Sequence, residues 1–372
     1  MARIFVLFLA ATPLGGSAVL AQECVAPCTG HAFKLELTGE WINDPGGAGS
    51  ATEIQPVGTL EIFGHPRDAL YFHAAIVAES LSERNPGESL AFSDLGVYLA
   101  ELYGEADIGA VTLRFGKFDP EFGLVGGGID DLYGTDLVED YDTDERIGFR
   151  VAFPFEALGL ANAVTFAAFS TDRSFLSQSI GSKREQLTLE DGGAGNTGGL
   201  GSFSAVYDIC AGVEDAADCA EDGDLGARLG LRWQGAGRPT DEQITDGVSP
   251  KDEVGLLGAI SRRFELGGGH DLNLLLEAAY FSHFETNSVD AVFATGAISL
   301  RDGPLTYTTT ATQRTNKSPD STDRLLALGV AYEPDRSISS AVGLKIEAGY
   351  EFLDSEDDGT SHRLGTRVSF SF

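Results

Sequence analysis

From Phe33 onward the chain is a succession of segments in which apolar and polar residues alternate, the period of an extended strand. Phe33, Leu35 and Leu37 alternate with Lys34 and Glu36. Val111, Leu113 and Phe115 alternate with Thr112, Arg114 and Gly116. Ile147, Phe149, Val151 and Phe153 alternate with Arg146, Gly148 and Arg150. Leu229, Leu231 and Trp233 alternate with Arg228 and Arg232, and Val342 to Phe352 with Lys345, Glu347 and Glu351. The same pattern predicts strands over 57–63, 70–78, 96–103, 164–169, 203–207, 254–264, 272–281, 291–300, 305–311 and 326–332. The last segment, His362 to Phe372, sets Leu364, Thr366, Val368, Phe370 and Phe372 on one face. Arg363, Gly365, Arg367, Ser369 and Ser371 fall on the other. About sixteen strands follow, with the spacing of strands of roughly ten residues plus connections.

The charges decide what kind of sheet this is. Lys34, Glu36, Arg114, Arg150, Arg228, Arg232, Glu277, Lys345, Glu347, Arg363 and Arg367 all sit on the non-apolar phase. A Lys or Arg on a lipid-facing position at mid-bilayer costs about 2–4 kcal/mol. Soluble sandwiches also alternate, but their strands are shorter. The reading is therefore all-β: a transmembrane antiparallel β-barrel, closed because an edge in lipid leaves backbone groups unpaired. The longest apolar stretch, 152–169, contains Pro154, Glu156, Gly159 and Asn162 and reads as strand, turn, strand. Trp41, Trp233, Phe264, Tyr280, Tyr332 and Phe352 fall near strand ends, as interfacial girdles would.

Connections alternate in length. Short ones are expected at 64–68, 104–109, 154–161, 267–270 and 301–304, and long ones at 42–52, 80–89, 119–145, 172–200, 235–252, 315–323 and 354–361. This predicts short periplasmic turns, long extracellular loops and periplasmic termini. Ile209 to Asp224 breaks the pattern. Either a disulfide compacts a long periplasmic connection there, or the strand count is off.

Residues 1–21 read as a secretory signal peptide: Arg3, an apolar core, and Val19-x-Ala21 before cleavage after Ala21. Residues 22–372 form the barrel. Export makes the two close cysteine pairs, Cys24 with Cys28 and Cys210 with Cys219, candidate disulfide loops. The formal charge of −32 excludes a basic nucleic-acid footprint. It implies either simple solvation or a pore that concentrates cations.

Two stretches carry a resemblance. The end of the chain, with Phe370 and Phe372, resembles the terminal strand of bacterial outer-membrane barrels, whose final Phe is read by the barrel assembly machinery. Gly116 to Gly123, GKFDPEFG, resembles the strand-to-loop turn of Gram-negative porins, including the group around phosphate-selective porins. The resemblance is best over 91–153 and at the C-terminus. It implies a bacterial outer-membrane porin for passive diffusion of small hydrophilic solutes and ions, without catalysis, in contact with outer-membrane lipid and lipopolysaccharide. It also implies that the loop 119–145 folds into the lumen as a constriction; the barrel stands either as a homotrimer, as most general porins do, or alone.

The loop's acids would then be Asp130, Asp131, Asp136, Glu139, Asp140, Asp142 and Asp144. Facing them, on the inward phase, would be Arg114, Arg146, Arg150, Arg363 and Arg367, with Lys117 at the loop's start a further candidate, giving a transverse field. Alternatively the loop is a solvated surface, or a site for loosely bound divalent cations at lipopolysaccharide. Asp140-x-Asp142-x-Asp144 lacks the Gly and closing Glu of an EF-hand, so no metal or cofactor is assigned. The scarcity of Lys argues for a mild cation preference over phosphate selectivity. Two competing readings remain: a barrel enzyme of lipase or protease type, which needs a rim Ser–His pair, and a secreted soluble all-β binding protein. His31, His65, His73, His270, His283 and His362 have no nucleophile motif around them.

Overall fold

The computed structural model describes residues 26–44, 49–81, 87–129, 131–182, 184–213, 223–317, 320–334, 343–356 and 359–372. The expected leader, Cys24, Asp130 and Cys219 lie outside them. Among the described residues sixteen strands form one closed antiparallel barrel. The first half comprises β1 (Cys28–Asp44), β2 (Gly49–Arg67), β3 (Leu70–Ser80), β4 (Leu95–Ile108), β5 (Val111–Phe118), β6 (Arg146–Ala157), β7 (Leu160–Thr171) and β8 (Ser202–Ala211). The second half comprises β9 (Leu225–Gln234), β10 (Glu253–Gly267), β11 (His270–Ser282), β12 (Ala291–Asp302), β13 (Leu305–Lys317), β14 (Asp320–Tyr332), β15 (Gly343–Ser355) and β16 (Gly359–Ser371). Each strand pairs with its neighbours in sequence, and β1 pairs with β16 from Lys34↔Ser371 to Asn43↔His362.

The polarity is inverted relative to a soluble protein. Phe115, Leu229 and Leu276 are more than 60% exposed on the outer face, while Glu351, Glu253 and Arg232 are 2% exposed or less inside. Alternation produces this directly, since successive side chains on a strand point to opposite faces. Trp41 and Trp233 lie exposed towards one rim, Phe264 and Tyr332 towards the other.

Turns of two residues, such as Gly109–Ala110, Leu158–Gly159 and Gly303–Pro304, occupy one rim, and the larger connections rise from the other. Three segments expected as long loops are continuations of hairpins. The ladders of β1–β2, β13–β14 and β15–β16 run on to Asp44↔Gly49, Lys317↔Asp320 and Ser355↔Gly359. Water hydrates such extensions, so their hydrophilic sequence does not mark where pairing stops. The 283–290 connection, which falls between the strands read at 272–281 and 291–300 but is named among neither the short nor the long connections, is a loop with one short turn at Phe284–Thr286.

The irregular stretch near 209–224 leaves the strand count intact. β8 pairs with β7 and β9 without a register shift. The intervening chain leaves and re-enters the short-turn rim at one point, with the Asp224 N–H donating to the Ala211 carbonyl at 2.9 Å. Neither Cys28 nor Cys210 is a free thiol.

Phe372 extends the closing ladder. Its N–H donates to the Phe33 carbonyl at 2.9 Å and its carbonyl accepts from the Phe33 N–H at 3.2 Å. The two rings lie 6.1 Å apart. Deleting Phe372 should therefore lower the fraction of chain recovered as folded, heat-modifiable barrel, while barrels that do form keep their conductance. Equal folded fractions for the two chains would refute this.

Candidate functional site

The constriction is built where β5 stops. Gly116 adopts φ +135°, and a Cβ there would stand 2.2 Å from the Leu102 carbonyl oxygen. Beyond Phe118 the chain turns into the lumen and returns at Arg146. Its neck is closed by the Glu145 N–H donating to Asp119 Oδ1 at 2.6 Å. Where β5 leaves the wall, Lys117 fills the gap. Its Nζ donates to the Leu99 carbonyl at 2.6 Å and to Glu145 at 2.7 Å, with Asp172 at 3.3 Å. Arg184, from the 172–201 connection, also reaches Glu145 at 2.6 Å.

Inside, the loop has three seats. The first is apolar: Phe122, Leu124, Val125, Ile129, Val138 and Tyr141 pack on Leu257, Leu275, Phe281 and Phe293 of β10–β12. Glu277 lies within this cluster. It accepts the Leu124 N–H at 2.6 Å, the Val125 N–H at 3.4 Å, and the Tyr141 hydroxyl. Arg232 stands 4.8 Å from the ring centroids of both Phe122 and Phe281. It donates to the Tyr141 carbonyl, to Thr143 Oγ1 at 2.7 Å and to Glu253 at 2.8 Å. Arg228 bridges Asp208 at 2.7 Å and the Gly123 carbonyl at 2.6 Å.

The second seat is ionic. Arg314 of β13 lies 2.5 Å from Asp140 and 2.6 Å from Asp323. The third is a slot in the wall. Gly329, Gly349 and Gly365 are direct Cα partners across β14, β15 and β16. A Cβ on Gly365 would lie 2.1 Å from Tyr133 Oη, and one on Gly329 2.4 Å from Asp131 Oδ1. Arg363 closes this end, 2.7 Å from Asp136 and 2.9 Å from Glu351.

These contacts revise the expected field of an acidic loop facing a basic wall across water. Asp136, Asp140 and Glu121 pair directly with Arg363, Arg314 and Arg150, the last at 2.6 Å. The reason is Coulombic: opposite charges at contact in a poorly hydrated seam attract far more strongly than the same charges across water. Glu139 accepts from the Thr135 hydroxyl at 3.0 Å, and Asp142 packs against Gly126. Arg146 faces Asp144 and donates to Thr171 Oγ1 at 2.5 Å. Lys117, 1% exposed, is part of the wall rather than the lumen. Arg367 pairs with Glu347 at 2.6 Å, with Glu36 at 3.7 Å, away from the loop. Arg114 pairs with Glu105 at 2.9 Å and lies 4.1 Å over the Tyr103 ring. The wall beside the loop thus carries Arg114, Glu105, Glu101 and Arg150, the last paired with Glu121 of the loop, with side chains 14–26% exposed.

Sequence reasoning missed the principal anchors, Glu277, Tyr141, Tyr133 and the glycine row. One signal was present. Around Leu272 to Phe281 apolar residues occupy both phases, and a strand apolar on both faces is covered on both. Lipid covers the outside; only the loop can cover the inside.

Burial raises the pKa values of Asp119, Asp131, Glu139, Asp140, Asp142 and Asp144. Asp119, Glu139 and Asp142 are pushed well above the usual carboxylate range by burial, with neighbouring acids adding to it. Burial pushes Asp131 up to about 6 against two backbone N–H donors, and Asp140 up to about 6 against the pull of Arg314. A carboxyl whose folded pKa is raised stabilises the seated loop fully only below its unfolded pKa, and loses that contribution as pH rises through the folded value. The loop should therefore be seated more firmly near pH 4 than near pH 8, the contribution of Asp131 and Asp140 falling away between 3.8 and about 6. Protease cleavage of the loop in the folded barrel should speed up across that interval; a rate independent of pH would contradict the assignment. Glu277→Ala removes one acceptor from three donors, each charge-assisted bond contributing about 1.5–3 kcal/mol. It should raise single-channel conductance and current noise, and unaltered traces would show that Glu277 does not hold the loop.

No family model and no curated protein sequence matches the chain. Solved structures do. OprB of Pseudomonas putida superposes with a TM-score of 0.60 at 13% identity, over 92% of this chain and 94% of that one. The outer-membrane channel DcaP of Acinetobacter baumannii gives 0.52 at 11% identity, over 93% and 97%. An anion-selective porin from Comamonas acidovorans gives 0.52 at 12% identity, over 92% and 99%. At these identities the likeness is one of architecture, and the architecture of this chain is that of the outer-membrane porins.

Proposed function

We propose that the protein is an outer-membrane porin of a Gram-negative bacterium, a water-filled channel for passive diffusion of small hydrophilic solutes and ions. The observation that carries this reading is the contrast between the two sides of the barrel wall. Outside is a continuous apolar surface; inside, beside the folded loop, is a charged wall that water reaches. A sixteen-stranded barrel is wide enough to leave an aqueous channel after one loop is folded in. A soluble binding protein would gain nothing from the outer face. Catalysis is not part of the proposal. His73, the histidine most enclosed by ionisable groups, has Glu101 at 3.1 Å, Glu61 at 3.8 Å and the Tyr103 ring beside it, with no nucleophile in that set.

The proposal includes cleavage after Ala21, local disulfides Cys24–Cys28 and Cys210–Cys219, insertion by the barrel assembly machinery, contact with lipopolysaccharide, and a homotrimer. A V. cholerae barrel of similar fold is described in a trimer form. Divalent cations would be bound only loosely, at acidic loops. The excess of 57 acids over 25 bases favours cations, and the many contact pairs inside keep that preference mild.

Purified protein in a planar bilayer should give discrete conductance steps, with a reversal potential in a potassium chloride gradient on the cation side. Absence of any steps would refute the channel, and an anion-side potential would refute the charge argument alone.

A further inference from the structure

The open wall has an unusual local arrangement of charge. Arg114 of β5 and Arg150 of β6 are direct Cα partners, two guanidinium groups at one register row. Like charges directly opposed on neighbouring strands repel. The row stands because each base has its own carboxylate. Glu105, the Cα partner of Arg114 on β4, lies 2.9 Å from its Nε, and Glu121 of the loop lies 2.6 Å from Arg150 Nε. Base and acid face the lumen and are partly exposed, 20% and 22% in the first pair and 14% and 26% in the second, although Arg150 Nε and Glu121 Oε2 themselves are covered. Tyr103 lies against the face of the Arg114 guanidinium and holds it in place, 4.1 Å from ring centroid to Cζ. The deeper pairs, such as Arg232 with Glu253 at 2% exposure each, have no such access.

We propose that Glu105, Arg114, Arg150 and Glu121 form a contact site for zwitterionic solutes of the α-amino-acid kind, a substrate class that rests on the porin reading above. The argument is one of compensation. An anion that takes Arg150 from Glu121 leaves a carboxylate without its base. A cation that takes Glu121 leaves a guanidinium without its acid. Either outcome gives back what was gained, since a half-satisfied charge in a confined site is penalised. A zwitterion supplies both signs at once, and its carboxylate and ammonium are separated by about the length of the contact it replaces. It exchanges one partly exposed pair for two charge-assisted contacts and leaves nothing uncompensated. Partly exposed pairs are weak, so the exchange is reversible and the solute leaves as readily as it arrives, as conduction demands. An uncharged solute of the same size has no charge with which to enter the exchange.

The test compares isomers. Glycine and glycolamide have the same atoms and nearly the same size, and only glycine is a zwitterion at neutral pH. In liposomes carrying the purified full-length barrel, swelling in glycine should be about threefold faster than in glycolamide. Acetate and ethylammonium, supplied as salts of impermeant counter-ions, should show no such advantage. In the variant Glu105→Gln/Arg114→Gln/Arg150→Gln/Glu121→Gln, glycine should fall to the glycolamide rate measured in that same variant, a ratio that any change in channel width leaves untouched. The two-site variant Arg150→Gln/Glu121→Gln, which leaves the Tyr103-braced pair in place, should lose part of the difference; heat-modifiability checks that both fold. Equal rates for glycine and glycolamide in the native barrel overturn the site while leaving the channel standing. An equal advantage for acetate or ethylammonium overturns it too, because the wall would then read one sign only. If neither isomer enters, the porin reading itself fails.

Discussion

Everything in this molecule depends on the pairing of β1 with β16. In hydrocarbon an unpaired backbone N–H or carbonyl costs several kcal/mol, so a sheet there is stable only when it has no edge. The ladder from Lys34↔Ser371 to Asn43↔His362 removes the last two edges at once. Once the sheet is closed, the period of two does the rest. One set of side chains meets lipid and the other meets water, and the acids and bases of the chain acquire a common interior. The strong negative charge, awkward for a packed soluble core, becomes the lining of an aqueous space.

That interior is not uniform. Over β9 to β16 it behaves as the core of a soluble protein, because a folded segment lies on it. Phe122, Tyr141, Phe281 and Phe293 make ring contacts there with centroids 4.8 to 6.4 Å apart. Glu277 satisfies backbone donors in the midst of them, as a capping residue would. The glycine row removes side chains from the wall so that Tyr133 and Asp131 can fit. Over β2 to β6 the interior carries partly exposed ion pairs such as Arg114–Glu105 and Arg150–Glu121 beside an apolar cluster of Ala75, Val77, Tyr98 and Ala100. The barrel thus contains one half whose interior fixes the loop and another whose interior keeps partly exposed charges, and Glu121 spans the two by sitting on the loop and pairing with Arg150.

Much of this was legible in the alternation alone. The sixteen strands, their phase, the inward position of every charge named on that phase, and the placement of 119–145 on the larger-connection rim follow from period and turn chemistry. Those are local properties, repeated many times. What was not legible depends on register between strands distant in sequence. Gly329, Gly349 and Gly365 are unremarkable until they stand in one row. Arg314 and Arg363 find Asp140 and Asp136 only because the loop crosses to the far side of the lumen. Lys117 reads as one more constriction base at the loop's start, yet the backbone turn at Gly116 sets it into the wall. Hairpin lengths were underestimated for a related reason: hydrophilic composition reports contact with water, and strands continue into water.

The position of Lys117 ties permeability to the integrity of the envelope. By leaving β5 early, the loop opens a breach near Leu99 and Phe118, and the same ammonium that grips Leu99 also holds Glu145, the loop's returning end. Pulling the loop out of the lumen would strain the patch that keeps the wall sealed against lipid and solvent. A wider channel obtained at the neck would therefore come with a leak. A change at the distant seats on β10 to β16 would alter the lumen and leave the seal untouched.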